Sequence, residues 1–471
     1  MIDEKILEKR EKDFNTIIEL LFKLKYPFPV FLTGKSGAGK THLTKQVIEW
    51  AESNGKNVLV TGMTGVAARN IHHSASTIHS TLKLGIINSM TEYYSKKRNM
   101  DENLISLLSN TDLIIIDEIS MARAEFIDVI FYHLKRYSYE GAIMVVGDFY
   151  QLPPVIKNYE EISEDYYYAF QSKNWAFYSI VLDEVLRTSD PDFIEFSNMI
   201  RNCSGTPEQW ERFISYINQQ DYTNFAEQEI YNSICLFATN KEANDHNEKR
   251  LNELEGEEKR FIGKFTRLVS WDIVINNPHI PPMYEDSNYS NYYSLCNVEP
   301  LIKLKVGARV MHLVNNPELN LINGDMGTVV DFITDFTGEL LPVVQWDNGE
   351  KNVVNYHNFD FEYKVGDEYI SVARIMQLPL RLAYGLTVHK TQGLSLDSVF
   401  IDAGNFFNYQ QFYVAFTRAR DPKKLIMKDF DLSFLKNYSS DLIPIITYYN
   451  NVDYYNEYYY DNYIKNLKNN T

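Results

Sequence analysis

The sequence predicts an α/β protein built on parallel sheets, and three observations carry that expectation. The stretch Phe31 to Thr41 reads FLTGKSGAGKT and sits between the apolar run Pro29 to Leu32 and helix-compatible sequence from Leu43 to Glu52. Asn57 to Thr61, Leu113 to Ile116 and Ala142 to Val146 are β-rich runs without polar alternation, separated by helical stretches, as expected of strands covered on both faces. A second set of such runs opens at Ser233 to Ala238 and closes at Val399 to Asp402.

With 471 residues, 45% of them hydrophobic, the chain is long enough for several cores. No apolar run approaches the ~18 residues a membrane span needs. The N-terminal MIDEKILEKREKDF is charged and lacks the apolar core of a signal peptide. An intracellular location is expected: cytoplasmic in a bacterium or virus, nuclear or mitochondrial in a eukaryote. Cys203, Cys235 and Cys296 are far apart and odd in number, so neither a disulfide framework nor a zinc site is indicated. A net charge of -17 argues against tight nonspecific binding to duplex nucleic acid, yet it leaves room for a narrow single-strand track.

Taken in order, residues 1 to 25 place Ile6, Leu7, Phe14, Ile17, Ile18 and Leu21 near one helical stripe, which predicts a helix leading into the first strand. Gly34-Lys35-Ser36-Gly37-Ala38-Gly39-Lys40-Thr41 fits G-x-x-x-x-G-K-[ST] in full. A strand that ends in such a turn and feeds a helix aims backbone N–H groups and a helix N-terminus at one point, which suits the phosphates of a nucleoside triphosphate. Lys40 would reach the β and γ phosphates and the Thr41 hydroxyl would hold Mg²⁺. The alternative, a glycine turn that binds nothing, is disfavoured by the agreement of all fixed positions with the strand-turn-helix context. Asp117 and Glu118 directly follow a buried-strand pattern, so Asp117 would bind the metal and Glu118 would orient or deprotonate the attacking water. Residues 81 to 110 lose the strand-helix alternation and read either as an inserted subdomain or as a solvated basic loop. The runs Arg309 to Val314, Gly327 to Val330, Val343 to Trp346 and Asn352 to Val354 are separated by turn signals and predict a small inserted β-barrel. The tail is low in complexity, with Tyr454, Tyr455 and Tyr458 to Tyr460, and reads as peripheral or poorly ordered.

Several stretches, in order, resemble the helicase motifs of superfamily one, group B. They are Thr64-Gly65-Val66-Ala67-Ala68 with Thr77-Ile78-His79-Ser80, Asp117 to Met121, Gly147 to Val155, Leu186-Arg187, Thr387 to Gly393, and Tyr413 to Arg420. The Pif-type branch, related to RecD and Dda, is the best match, over about residues 30 to 425.

The resemblance implies two RecA-like domains, 1–80 with 111–181 and 182–300 with 371–435. It also implies a wedge subdomain at 81–110, with Tyr93 and Tyr94 as guesses for its pin, and an SH3-like barrel at 301–370; residues 436–471 form the tail. Lys40, Asp117, Glu118, Gln151, Arg187 and Arg418 would be catalytic, the two arginines acting as fingers on the transferring phosphoryl group. Gly34 to Thr41, Gln392 and Gly393 would bind ATP, with Thr41 and Asp117 holding Mg²⁺. Thr64, Gly65, His79, Ser80, Thr387, His389 and Lys390 would line a single-strand DNA channel, and a buried, hydrogen-bonded histidine is the alternative for His79 and His389.

The activity implied is an ATP-dependent 5′-to-3′ DNA helicase that acts as a monomer on single strands and DNA junctions, including possible G-quadruplex or RNA-DNA hybrid substrates. The competing readings are a RecD-like motor subunit of a nuclease complex and a DNA-clamping ATPase without strand separation. One departure stands out: the family's upstream glutamine is replaced within Glu8-Lys9-Arg10-Glu11-Lys12, which leaves the preference for ATP open.

Overall fold

The computed structural model describes residues 4–64, 71, 76–84, 90–95, 100–154, 166–276, 293, 298–314, 316–321, 324–365, 368–392, 394, 396–406, 408–431, 435 and 442–469. Its centre is a six-stranded sheet of β1 (Val30–Gly34), β2 (Val58–Gly62), β3 (Ser76–Thr77), β4 (Leu113–Asp117), β5 (Ala142–Gly147) and β6 (Tyr178–Leu182). The order is β3-β2-β4-β5-β1-β6 and every pairing is parallel. All five residues of β1 and all six of β5 are buried, which explains why these strands lack polar alternation. Val30 and Leu32 pack with Ile17, Ile18, Leu43 and Val47 of the flanking helices α1 (Glu4–Ile18) and α2 (Lys40–Ser53). Phe31, on the opposite face of β1, meets the rings of Phe149, Trp175 and Tyr448. The expected N-terminal helix forms, but Leu7 points outward at 53% exposure, so the buried stripe is confined to its C-terminal half.

Three further parallel strands, Ile234–Phe237, Val399–Asp402 and Leu425–Lys428, pair with Val399–Asp402 in the middle. The chain divides into two compact units, residues 1–238 with 388–471, and residues 239–387. Within the first of these units, Arg187, Tyr413 and Arg418 bond directly to the phosphate loop, tying the second parallel strand set to the first sheet.

Residues 239–387 form a unit rich in antiparallel strands. One sheet pairs Lys351–Val353, Leu340–Trp346, Met326–Thr334, Arg309–His312 and Leu380–Leu382 in that order, around Val310, Val329, Val344, Trp346 and Leu380. A second pairs His357–Val365, Glu368–Gln377 and Lys264–Arg267 over Val372, Ala373 and Ile375. Leu380–Leu382 completes the first of these sheets and Lys264–Arg267 the second. Asn247 pins the strand leading to Thr387: its amide donates to Gly385 O at 2.9 Å while its carbonyl accepts from the Tyr384 and Gly385 N–H groups.

Two expectations need correction. The Tyr-rich tail is not peripheral: it forms helices Ile443–Asn450 and Val452–Asn469, and Tyr459, Tyr460 and Tyr463 pack on the core of the first sheet. Low complexity conceals this because tyrosine gives the helix both an apolar ring and a hydroxyl needing a partner. Tyr93 is buried, its hydroxyl 2.8 Å from His133 Nδ1, and so cannot serve as an exposed pin. Tyr94 is 59% exposed at the end of the short helix Met90–Ser95. Lys96, Lys97 and Arg98 lie outside the described residues.

Candidate nucleotide site and strand contacts

The site gathers at the carboxyl ends of β1, β4 and β5, where an open parallel sheet places its ligands. The turn after β1 needs residues without side chains. Gly37 has φ +76°, and a Cβ there would stand 2.7 Å from Arg187 Cβ; one at Gly34 would meet Leu182 O at 2.3 Å. The neighbouring chain closes against this turn, since the Leu186 N–H donates to Gly37 O at 2.8 Å and the Lys35 N–H to Leu182 O at 3.3 Å. Lys40 opens α2 and curls back, donating to Gly34 O at 2.7 Å and Lys35 O at 3.1 Å. Burial pulls its ammonium below the ordinary lysine value. Thr41 follows in the first turn of α2 and is exposed.

Asp117 and Glu118 occupy the end of β4. Burial, then the charge of Glu118, pushes the Asp117 carboxyl well above its ordinary range, and burial raises Glu118 as well. Glu118 is held at φ +55°, ψ +43°, a left-handed conformation unusual for a side-chain-bearing residue. Two constraints keep it there. The Glu118 N–H donates to Asp117 Oδ1 at 2.9 Å, and Gln392 Nε2 donates to Glu118 Oε2 at 3.2 Å.

Both expected arginine fingers arrive at one oxygen. Arg418 Nη2 donates to Ser36 Oγ at 3.0 Å and Arg187 Nη1 to the same atom at 3.4 Å. Tyr413, one turn before Arg418, accepts the Ser36 N–H at 3.0 Å. Arg187 also donates to Thr417 O, and Arg418 to Val414 O, Thr391 O and Leu394 O. These acceptors are all neutral. Burial lowers both guanidiniums, and the proximity of Arg187 helps bring Arg418 down to about 9. Two desolvated cations sharing a neutral oxygen are arranged for an anion.

Gln151 is buried with its amide 3.5 Å from Asp148 Oδ2. Sequence reasoning gave Asp148 no role, yet it is fully buried and ion-paired to Arg201 at 2.9 Å. Burial opposes the Arg201 charge, but Asp148 more than offsets that and holds it above its ordinary value. The Arg201 guanidinium lies 3.9 Å from the centre of the Tyr150 ring. Arg10, within the stretch Glu8 to Lys12 that lacks the family glutamine, donates to Ala38 O at 2.9 Å and Glu184 O at 3.3 Å and thereby buttresses the phosphate loop.

These residues fit a nucleoside triphosphate with Mg²⁺. A Cβ at Gly34 or Gly37 would clash, Lys40 and two arginines supply positive charge, and among the described residues Gln392 Oε1 is a buried acceptor without a hydrogen-bond partner, placed to accept from a water. The hydroxyl of Thr41 and the carboxylate of Asp117 are the hard oxygen ligands Mg²⁺ prefers, the remaining positions being left to phosphate and water.

The residues expected on DNA are less uniform. Thr64 and Ser80 carry exposed or half-exposed hydroxyls, whereas Thr387 is 4% exposed. His79 stacks on Phe126 at 4.2 Å with nearly parallel rings, and burial lowers its pKa, as it does for His389. Both imidazoles are therefore neutral donors or acceptors at pH 7 and not phosphate-binding cations. Lys390 is half-buried. Gly65 and Gly393 lie outside the described residues. No helix among the described residues is long and apolar enough to cross a membrane.

Comparison with known proteins agrees with this geometry. The PIF1-like helicase family matches residues 5–206, and the UvrD-like helicase C-terminal domain matches residues 382–425. ATP-dependent DNA helicase Pif1 of Campylobacter jejuni is 31% identical over 412 residues, covering 84% of this chain and 88% of that protein. The Danio rerio PIF1 helicase is also 31% identical, across 85% of this chain but 58% of its own length. Among solved structures, Pif1 of Candida albicans superposes with a TM-score of 0.72 at 24% identity, covering 94% of this chain and 99% of that one. Bacteroides Pif1 in complex with ADP-AlF3 and single-stranded DNA superposes at 0.66 with 25% identity, covering 93% and 98%. Fold, motif geometry and sequence together make this chain a member of the PIF1-like helicase family.

Proposed function

We propose that this chain, a helicase by family, hydrolyses ATP with Mg²⁺ to translocate 5′ to 3′ along single-stranded DNA and to unwind duplexes and junctions, working as a monomer. The carrying observation is the convergence of Arg187 and Arg418 on Ser36 of the phosphate loop. Bound triphosphate would take the place of that neutral oxygen. Lys40 and both arginines would then stabilise the charge of the transferring phosphoryl group, and Glu118, once ionised, would take the proton of the attacking water. Gln392 bonds to Glu118 and belongs to the same short segment as His389 and Lys390, so a change in nucleotide state would reach proposed strand contacts within three residues.

Thr64, Gly65, His79, Ser80, Thr387, His389 and Lys390 are read as strand contacts made through hydroxyls, backbone, neutral imidazoles and one ammonium, which carry no base code. Hydrolysis should therefore respond to single-stranded DNA of any sequence. Residues 81–110 are read as the wedge and residues 301–370 as the SH3-like barrel.

The test is ATP hydrolysis by the purified chain with and without single-stranded DNA, beside Lys40→Ala, and unwinding of duplexes carrying a 5′ or a 3′ tail. DNA-stimulated hydrolysis lost by at least about a hundredfold in the variant, with unwinding from the 5′ tail only, is expected. Unwinding from the 3′ tail alone would reverse the assigned direction. Hydrolysis without unwinding on either tail would favour the strand-clamping ATPase.

A further inference from the structure

The helix Ile443–Asn450 lies outside every recognised motif, yet it reaches the back of the nucleotide site. Tyr449 is the point of contact. Its hydroxyl is 2.6 Å from Thr33 Oγ1, one residue before the phosphate loop, and accepts the Phe149 N–H at 3.3 Å, one residue after Asp148. Because the phenolic oxygen accepts from Phe149, its own proton is free to go to Thr33. The hydroxyl therefore links the carboxyl ends of β1 and β5, the two strands that carry Lys40 and Gln151 onward. The ring works on the same group of residues: it stacks on Tyr150 with centroids 5.2 Å apart and an 18° interplanar angle, and the Arg201 guanidinium is 5.4 Å from its centre. Tyr150 and Tyr449 thus form an aromatic face beside the cation that neutralises Asp148.

The anchoring of the helix is separate from this contact. Tyr448 turns the other way, its hydroxyl accepting from Trp175 Nε1 at 3.0 Å and lying 3.0 Å from Ser179 Oγ. Asn456, in the following helix, exchanges two hydrogen bonds with the backbone of Ser179 in β6, accepting from its N–H at 2.7 Å and donating to its carbonyl at 2.9 Å. These bonds, with the packing of Tyr459, Tyr460 and Tyr463, hold the C-terminal helices, whereas outside its own helix Tyr449 touches Thr33, Phe149, Tyr150 and Arg201.

We propose that Tyr449 is a positioning residue of the ATPase, fixing the segment Asp148 to Gln151 relative to the phosphate loop so that Gln151 and the Asp148–Arg201 pair stand correctly when nucleotide binds. The assignment rests on the helicase reading given above. Misplacing a catalytic group by a fraction of an ångström is costly in rate while leaving ground-state binding nearly intact, so the effect belongs to kcat.

The experiment compares the full chain with Tyr449→Phe, Thr33→Val, their double variant and Asn456→Ala. Steady-state ATP hydrolysis is measured with and without single-stranded DNA, and thermal unfolding is followed in parallel. Tyr449→Phe keeps the ring and removes only the linking hydroxyl; it should lower DNA-stimulated kcat about tenfold with the KM for ATP within about twofold, and lower Tm as well, because the Phe149 N–H and the Thr33 hydroxyl lose a buried partner. The double variant should fall no further than the worse single one, because both remove the same bond. Asn456→Ala is the stability control: it should lower Tm in the same way with kcat at 25 °C retained. Equal kcat in the wild type and Tyr449→Phe would overturn the assignment alone, as would losses of Tyr449→Phe and Thr33→Val that multiply. A wild-type chain without DNA-stimulated hydrolysis would remove the helicase reading, and this assignment with it.

Discussion

Arg418 and Arg187 share one hydroxyl, so neither can be judged by its own environment. Removing either should cost about a thousandfold in the rate of a single turnover, the lower end of what an arginine finger contributes. Removing both should cost far less than the product of the two losses, since they act on the same transferring group. Quenched-flow hydrolysis with saturating ATP measures both numbers. Glu118 sets a further expectation. It must be ionised to accept a proton, so Glu118→Gln should abolish hydrolysis while leaving ATP binding in place. Among the site residues, those close in sequence were legible: Gly34 to Thr41 and Asp117-Glu118 are contiguous and follow strands. The Asp148–Arg201 pair spans 53 residues and the Thr33–Tyr449 contact 416, and no spacing rule connects them. Asp148 left one signal, an acid directly after a fully apolar strand, but its partner is chosen by tertiary packing alone.

At the scale of the element, the parallel strands could be read because burial on both faces removes polar residues from consecutive positions. The C-terminal helices could not, for the opposite reason: their buried positions are filled by tyrosine and asparagine, which composition classes as polar or low in complexity. Asn456 shows how much depends on such a residue. It satisfies both polar groups of the buried Ser179 peptide units, and Asn456→Ala would leave a donor and an acceptor unpaired. A loss of about 2 to 4 kcal/mol in urea unfolding is expected, whereas Tyr458→Ala, on a 52% exposed ring in the same helix, should cost well under about 1 kcal/mol.

For the molecule as a whole, one buried histidine in residues 239–387 makes stability depend on pH. His312, 1% exposed and edge-on to Trp346, has its pKa lowered to about 4, chiefly by burial. A base with a depressed folded-state pKa contributes stability above its unfolded value of about 6.5 and loses it as the pH falls towards 4. The loss should reach about 3 kcal/mol at most, and His312→Asn should flatten that part of the profile in unfolding measured between pH 7 and 4.

The meeting of two arginines at Ser36 has a consequence for the energetics of the whole cycle. The Arg418 guanidinium is already stripped of water and that of Arg187 largely so, and both are aimed at a hydroxyl oxygen of the phosphate loop. The cost of drying two cations is thus incurred once, when the chain folds, and is not repeated at each turnover. An arriving triphosphate exchanges a neutral acceptor for an anionic one and meets a charge environment that needs almost no reorganisation.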